Sequence, residues 1–161
     1  MRIRPADLGR DGAALLAVQR SGYAVEAQLV GAESLPGQHE ALDDLRGEEV
    51  WVAEVDGEVA GVLGLEHGAG EDLVIARLVV APELMRRGIG RALARHALAL
   101  AGDRPVRVGT AAANEPALAL YASLGFERVG ERTVGDGLAY VELSRPAAAG
   151  WRRRRARRSR R

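Results

Sequence analysis

The sequence contains no cysteine and no lysine. Without cysteine there can be no disulfide framework, no thiolate metal site and no cysteine nucleophile, so the fold must depend on packing. Without lysine there is no Walker A loop, which needs Gly-Lys-Ser/Thr. We therefore expect a protein without a metal site.

No apolar run approaches the roughly 20 residues that cross a bilayer. The first residues, Met1 to Pro5, do not resemble a signal peptide and lead directly into an amphipathic stretch. We therefore predict a cytoplasmic protein without membrane contact.

The basic residues are concentrated at one end of the chain. Of 23 basic residues, eight lie between Arg152 and Arg161, which leaves 15 basic against 22 acidic residues elsewhere. A charged run without apolar periodicity is typical of disorder. We predict one folded domain over residues 1–145 and a disordered arginine-rich tail over residues 146–161. Nucleic acid would bind only non-specifically, through this tail.

Apolar residues at helical spacing predict a first helix that Asp11 caps and Gly31 ends. Gly22 should weaken this helix. A second short helix is predicted around Leu42 and Leu45. The core-facing stripe of the first helix consists of Leu15, Val18, Gly22, Val25 and Leu29.

From Glu49 the apolar period changes to two. Asp56-Gly57 predicts a hairpin between two strands, and the mostly apolar run from Leu73 to Val80 predicts a central strand buried on both faces. Further strands are predicted at 106–110, 126–133 and 138–144, with helices after Gly90 and at Pro116. The expected order, β-α-α-β-β-β-α-β-α-β-β, describes a mixed α/β sheet with helices on both faces.

The turn that contains Gly88-Ile89-Gly90 lies between the buried strand and a helix. Free backbone N–H groups and the helix dipole at such a turn favour an anion, and Arg86, Arg87 and Arg91 could pair with phosphate charges. The dinucleotide fingerprint does not fit, because it needs a small residue at Leu93. The turn is therefore a candidate phosphate site.

Two stretches resemble the GNAT acetyltransferases. The run from Met85 to Gly90 is similar to the coenzyme A signature of that family, Gln/Arg-X-X-Gly-X-Gly/Ala, with methionine at the first position. The run from Asn114 to Phe126 is similar to its second hallmark, in which Asn, Ala and Tyr precede Gly-Phe. The resemblance covers residues 2–144.

The resemblance implies the GNAT fold and transfer of an acetyl group from acetyl-coenzyme A to a small-molecule or peptide amine, by direct attack in a ternary complex. Tyr121 would be the general acid for the departing thiolate, and a homodimer is left open. The implied coenzyme-binding residues are Leu78, Val79, Val80, Arg86, Arg87, Gly88, Ile89, Gly90, Arg91, Asn114, Ala117 and Tyr121.

Each implied role has a plainer alternative. Tyr121 could be a core aromatic, Asn114 only a helix N-cap, and His96 a surface or packing residue. The protein could also bind coenzyme A without catalysis, as a sensor or scaffold, or be a nucleic-acid-associated protein through its tail.

The acceptor side is less defined by the sequence. Glu26 and His39 are candidate substrate-binding residues, and Glu54, Glu66 and His67 are further candidates for the general base. Between residues 21 and 58 there are ten acidic residues and one arginine, which favours a cationic amine. A solvated helix face explains the same residues equally well.

Overall fold

The computed structural model describes residues 1–149, so the arginine-rich run lies outside the described residues. Seven strands form one sheet in the order β1-β2-β3-β4-β5-β7-β6. The strands are β1 (Arg2–Pro5), β2 (Glu49–Val55), β3 (Glu58–His67), β4 (Leu73–Val80), β5 (Val106–Ala111), β6 (Glu127–Val134) and β7 (Leu138–Arg145). The α-helices are α1 (Leu8–Val30), α2 (Ile89–Ala101) and α3 (Glu115–Ser123).

The start of α1 differs from the prediction. Asp7, not Asp11, is the N-cap, and its side chain accepts hydrogen bonds from the N–H groups of Gly9 and Arg10. Asp11 lies inside the first turn, where its buried carboxylate binds the Arg4 guanidinium at 2.7 Å. The predicted cap was wrong because Asp11 is engaged by a neighbouring strand.

Two further helical predictions need correction. The predicted second helix is a single 3-10 turn, Leu42–Leu45, so only one α-helix precedes β2 in the described chain. The stripe of α1 is buried at Leu15 and Gly22, but Val25 and Leu29 are 39% and 55% exposed. The predicted stripe therefore leaves the core at Val25 and Leu29, whereas Ala27 is buried in the same part of α1.

The core divides into two clusters on opposite faces of the sheet. One contains Leu15 of α1, Leu45 and the α1-facing side chains of β2 and β3. The other contains Leu93 of α2 and Tyr121 of α3. The predicted arrangement, with helices on both faces, is confirmed. Within residues 1–149, no helix combines the length and the apolar composition that a membrane span requires.

The central strand β4 is interrupted by a bulge. Ile75 pairs with Leu65 and Arg77 with Gly64, so Ala76 is an extra residue in β4. A bulge bends a strand, and the parallel pairing of β4 with β5 ends at Ile75. The two strands diverge beyond that point and leave an opening in the middle of the sheet.

Candidate active site

A cavity of about 1520 Å³ occupies the opening between β4 and β5. Its walls come from α1, β4, the turn before α2, the start of α3, and the β6–β7 hairpin. All three tyrosines of the chain line it: Tyr23, Tyr121 and Tyr140. The cavity therefore joins the glycine-rich turn before α2 to the three tyrosines.

The edge of β4 that faces the cavity carries free main-chain groups. Ala81 donates to Ala60 O of β3 at 2.8 Å, and in an antiparallel pair alternate residues point to the same neighbour. Val79 therefore bonds to β3, whereas Leu78 and Val80 direct their main-chain groups toward the opening. The sequence predicted main-chain contacts from Leu78, Val79 and Val80. Because the main-chain groups of Val79 bond to β3, only those of Leu78 and Val80 face the cavity.

The turn before α2 has an unusual backbone. Arg86 adopts a φ of 66° and Gly88 a φ of 83°. A non-glycine residue in the left-handed region costs about 1–3 kcal/mol. Arg86 and Gly88 flank Arg87, which is not left-handed, and such alternation of hand aims neighbouring N–H groups at one point, as in anion-binding nests.

The first turn of α2 adds further donors to this site. Ala92 donates to Gly88 O at 3.0 Å, and the N–H groups before it have no partner within the helix. A Cβ on Gly90 would meet nothing closer than 3.6 Å, so packing within the protein does not require glycine there. Because Gly90 has no side chain, a ligand could approach the backbone closely at this position.

The arginines near this turn are not equivalent. Arg86 and Arg91 line the cavity, and Arg91 also binds Ser123 Oγ at 2.9 Å. Arg87 is exposed and is not among the lining residues. Two guanidinium groups therefore accompany the backbone donors, and the turn suits a pyrophosphate-sized anion.

Asn114 links the two sides of the opening. Asn114 is the N-cap of α3, and its Oδ1 accepts from the N–H of Ala117 at 3.2 Å. Its Nδ2 donates to Glu26 Oε1 of α1 at 2.8 Å. An amide nitrogen carries two N–H bonds, so one donor of Asn114 is left for a ligand.

Tyr121 is both a core residue and a cavity residue. Its ring packs edge-to-face on Phe126 with centroids 5.2 Å apart, and it also lines the cavity. Burial raises the pKa of Tyr121, and the nearby Glu26 carboxylate adds to this shift. The phenol is therefore protonated at neutral pH and can act as a proton donor.

The predicted substrate-binding and general-base residues lie at different distances from the cavity. Glu26 is half-buried in the cavity wall, and burial raises the pKa of its carboxyl. Glu66 also lines the cavity, but it is exposed. His39 and His67 are exposed and outside the lining, and Glu54 is ion-paired with Arg4. The structure brings Glu26, but not His39, to the tyrosines.

Sequence reasoning missed three residues of this region. Tyr23 lies one helical turn before Glu26, so the spacing could have revealed it. Arg77 interrupts an apolar strand, and an arginine in such a run signals a buried ion pair. Tyr140 reaches the cavity through the pairing of β7 with β5, which no local pattern indicates.

Comparison with known proteins gives the family. The family model "Acetyltransferase (GNAT) family" matches residues 21–126, more than half of the chain. The chain belongs to this family of acyltransferase enzymes.

One of two individual relatives is named an acetyltransferase. A mycothiol acetyltransferase from Geodermatophilus obscurus is 36% identical over 107 residues, 66% of this chain and 33% of the relative. The UPF0157 protein YqkA from Bacillus subtilis is 33% identical over 127 residues, 77% of this chain and 37% of the relative. The chain thus spans about a third of the length of these two curated relatives.

Solved structures share the fold. A ribosomal-protein-alanine N-acetyltransferase from Brucella melitensis is 28% identical, with a TM-score of 0.68 over 89% of this chain and 98% of that protein. The predicted resemblance to GNAT acetyltransferases and the predicted mixed α/β fold are therefore confirmed.

Proposed function

We propose that this protein transfers an acetyl group from acetyl-coenzyme A to an amine by direct attack in a ternary complex. The observation that carries the proposal is one cavity that combines the free edge of β4, the anion-binding turn before α2, and a buried protonated phenol, Tyr121. The absence of cysteine supports direct attack, because no thiol can carry the acetyl group.

The coenzyme-binding residues fit a long, phosphorylated thioester. Backbone donors at Gly88 to Arg91 and the Arg86 guanidinium would hold the pyrophosphate. Leu78, Val80 and the second N–H of Asn114 would hydrogen-bond the pantetheine arm, beside Ala117. Acetyl-coenzyme A supplies an activated acyl group with a thiol leaving group.

Tyr121 would supply a proton and Val80 a hydrogen bond. The main-chain N–H of Val80 can donate to negative charge that develops on the acetyl oxygen. Tyr121 gives its hydroxyl proton to the departing sulfur. A thiol, with a pKa near 8.5, is a stronger acid than the buried phenol, so the transfer is completed when the Tyr121 phenolate takes up a proton that the attacking nitrogen loses.

The test measures free-thiol release with acetyl-coenzyme A and a panel of amines. Tyr121→Phe should lower kcat by about 10²- to 10⁴-fold, the usual range for loss of a general acid. Calorimetry should show unchanged affinity for coenzyme A. Tyr140→Phe removes a hydroxyl from the β7 wall of the same cavity and should lower kcat far less.

Initial-rate kinetics separate the possible mechanisms. Intersecting lines in double-reciprocal plots are expected for a ternary complex, whereas parallel lines would indicate a covalent acetyl-enzyme. Binding of acetyl-coenzyme A without turnover of any amine would instead favour the sensor alternative. Failure to bind coenzyme A would refute the proposed site.

A further inference from the structure

The cavity passes from one face of the sheet to the other. Ile89 of α2 and Tyr121 of α3 belong to the core cluster on one face, and Tyr23 of α1 packs against the cluster on the opposite face. All three residues line the same cavity. The proposed coenzyme turn, which leads into α2, lies on the first face, so the side of the cavity that α1 borders is left for the acceptor.

The acceptor side of the cavity extends far along β4. Val80, whose main chain would bind the acetyl oxygen, and Val74 both line the cavity and are six residues apart in this strand. At about 3.3 Å per residue, they are separated by about 20 Å. Val74 lies between two residues of the α2-side core cluster, Leu73 and Ile75, and therefore faces the α1 side. A small amine bound at Val80 would leave most of this length empty.

The wall along this length is polar and carries both signs of charge. Arg77 binds Glu40 and Glu48, at 2.7 and 2.5 Å, so that two carboxylates share one positive charge. Arg132 pairs with Glu142. All five residues line the cavity. An acceptor on this side therefore meets hydrogen-bond donors and acceptors next to each other.

Glu66 and Arg107 lie at the far end of this side, next to Val74. Glu66 pairs with Val74 in the sheet, and Val74 pairs with Arg107, so the three residues form one row on the same face. Neighbouring strands are about 4.8 Å apart, which separates the Glu66 and Arg107 backbones by about 10 Å. Within residues 1–149, neither side chain has an ion pair or a hydrogen bond. Two unpaired opposite charges therefore flank a half-buried valine.

This end of the cavity suits an extended polypeptide better than other amines. Neighbouring side chains of an extended chain point to opposite sides, so adjacent acidic and basic residues could reach Arg107 and Glu66. The main chain of a polypeptide offers both donors and acceptors to the polar wall. A polyamine carries only positive charge, which Arg107 would repel, and an apolar amine would cover polar groups without bonding to them.

We infer that Glu66 and Arg107 form a remote binding subsite for the acceptor, and that the acceptor is a polypeptide acetylated at its N terminus. The inference rests on the proposed acetyl transfer. The terminal amine would lie at Val80, and an acidic and a basic residue would lie at the subsite. An extended chain covers at most about 3.3–3.6 Å per residue, so about six residues span the distance. The subsite binds the acceptor and takes no part in proton transfer.

Three peptides test the inference with the wild-type chain, each with an N-terminal alanine and an amidated C terminus. One is the dipeptide Ala-Ala, and two are octapeptides that differ at the sixth and seventh positions, with Asp-Arg in one and Gln-Gln in the other. The kcat/KM of the charged octapeptide should exceed that of the dipeptide by at least about tenfold. It should exceed that of the neutral octapeptide by at least about threefold, the effect of two exposed ion pairs. Equal values for the two octapeptides, or no gain over the dipeptide, would overturn the inference.

A fourth peptide distinguishes the two amines of a polypeptide. It is the charged octapeptide with a blocked N terminus and lysine as its first residue. Its kcat/KM should be at least about tenfold below that of the charged octapeptide, because the lysine amine is neutral in a far smaller fraction of molecules at pH 7. Equal or faster acetylation of the lysine would overturn the assignment to the terminal amine.

Arg107→Gln and Glu66→Gln test the subsite. In each variant the ratio of kcat/KM for the charged octapeptide to that for the neutral octapeptide should fall by about two- to fivefold, the range for an exposed ion pair. Because both values come from one variant, partial unfolding does not change this ratio. Arg95→Gln and Glu33→Gln remove the same charges from exposed positions outside the cavity lining and should keep the wild-type ratio. A wild-type ratio in either subsite variant, or an equal fall in its control, would overturn the subsite.

The two proposals fail in different ways. If acetyl-coenzyme A binds and a small amine is acetylated, but the octapeptides show no gain, the inferred acceptor is wrong and the proposed function stands. If the wild-type chain does not bind acetyl-coenzyme A, the proposed function itself fails.

Discussion

His96 of α2 has a ring nitrogen without a partner. Its ring centroid lies 4.3 Å from that of Trp51 in β2, at an interplanar angle of 63°. Its Nε2 is buried and has no hydrogen-bond partner within residues 1–149. Burial lowers the pKa of His96 from its ordinary value of 6.5, although Glu49 opposes the shift. Of the two roles predicted for His96, the structure supports packing.

At the residue scale, this environment predicts a pH dependence of stability. The pKa of His96 is lower in the folded chain than in the unfolded chain, so protonation favours the unfolded chain. The contribution of neutral His96 to the free energy of unfolding is therefore complete above pH 6.5 and is lost as the pH falls from there toward the folded-state pKa. Urea unfolding between pH 7 and 5 should show a shallower loss of stability for His96→Gln than for the wild type. The exposed His67→Gln is the control, and identical slopes for wild type and His96→Gln would contradict the prediction.

At the scale of elements, Gly22 sets the distance between α1 and β4. From the sequence, this glycine is predicted to lie on the core-facing stripe of its helix and to weaken the helix. In the structure it is buried, and a Cβ at this position would lie 2.3 Å from Val79 Cγ2 and 2.8 Å from Val80 O. The glycine therefore allows close contact between the helix and the strand that carries the proposed main-chain donors.

Gly22→Ala should accordingly destabilise the protein. Alanine forms helix better than glycine by about 1 kcal/mol, but the overpacking should cost about 1–3 kcal/mol and move α1 away from β4. The free energy of unfolding in urea should fall, and the KM for acetyl-coenzyme A should rise. Gly9→Ala is an exposed control in the same helix, where the nearest contact of a Cβ is the Asp7 side chain at 3.3 Å. An increase in the free energy of unfolding for Gly22→Ala would contradict the prediction, because it would show that a Cβ fits between α1 and β4 at this position.

At the scale of the whole molecule, Arg77 connects parts that are distant in sequence. This buried side chain of β4 binds Glu48 through two nitrogens, at 2.7 and 2.5 Å, and also binds Glu40 and Gln19. A Cβ on Gly64 would lie 2.1 Å from Glu48, so the neighbouring strand leaves room for the pair. The network holds α1 and the segment before β2 against the centre of the sheet.

Arg77→Met should destabilise the chain by about 3–5 kcal/mol, because it leaves the buried Glu48 carboxylate without a counter-charge. The double variant Arg77→Met/Glu48→Leu should recover much of that loss. Arg46→Gln breaks an exposed pair with Asp43 and should cost no more than about 1 kcal/mol. Urea unfolding measures all three, and a loss below about 1 kcal/mol for Arg77→Met would contradict a structural role.

Local patterns predicted most of the strands and the glycine-rich turn before α2. Alternating apolar residues and the Asp56-Gly57 turn give the β2–β3 hairpin, and Leu73–Val80 is indeed the central strand. Such features depend on neighbours in the chain. The cap of α1 was placed wrongly, because two aspartates compete and the choice depends on Arg4 of another strand.

The acidic segment between residues 21 and 58 is a second case in which contacts with other segments decide what local composition cannot. Its composition favours a cationic acceptor, but Glu40, Glu48 and Asp43 are already paired with arginines. A charge count adds all carboxylates equally, whereas binding depends on those that are left uncompensated.

The sequence by itself determined the family, the order of the strands along the chain, and the glycine-rich turn with Asn114 and Tyr121, because these depend on residue type and local spacing. Only the tertiary structure decided where β4 and β5 diverge and which carboxylate faces the tyrosines. Glu26 and Asn114 are 88 residues apart and meet at 2.8 Å across that opening. The bulge at Ala76 is defined by the pairing of β4 with β3, and Gly22 packs against Val79 and Val80, so neither is a property of a single segment.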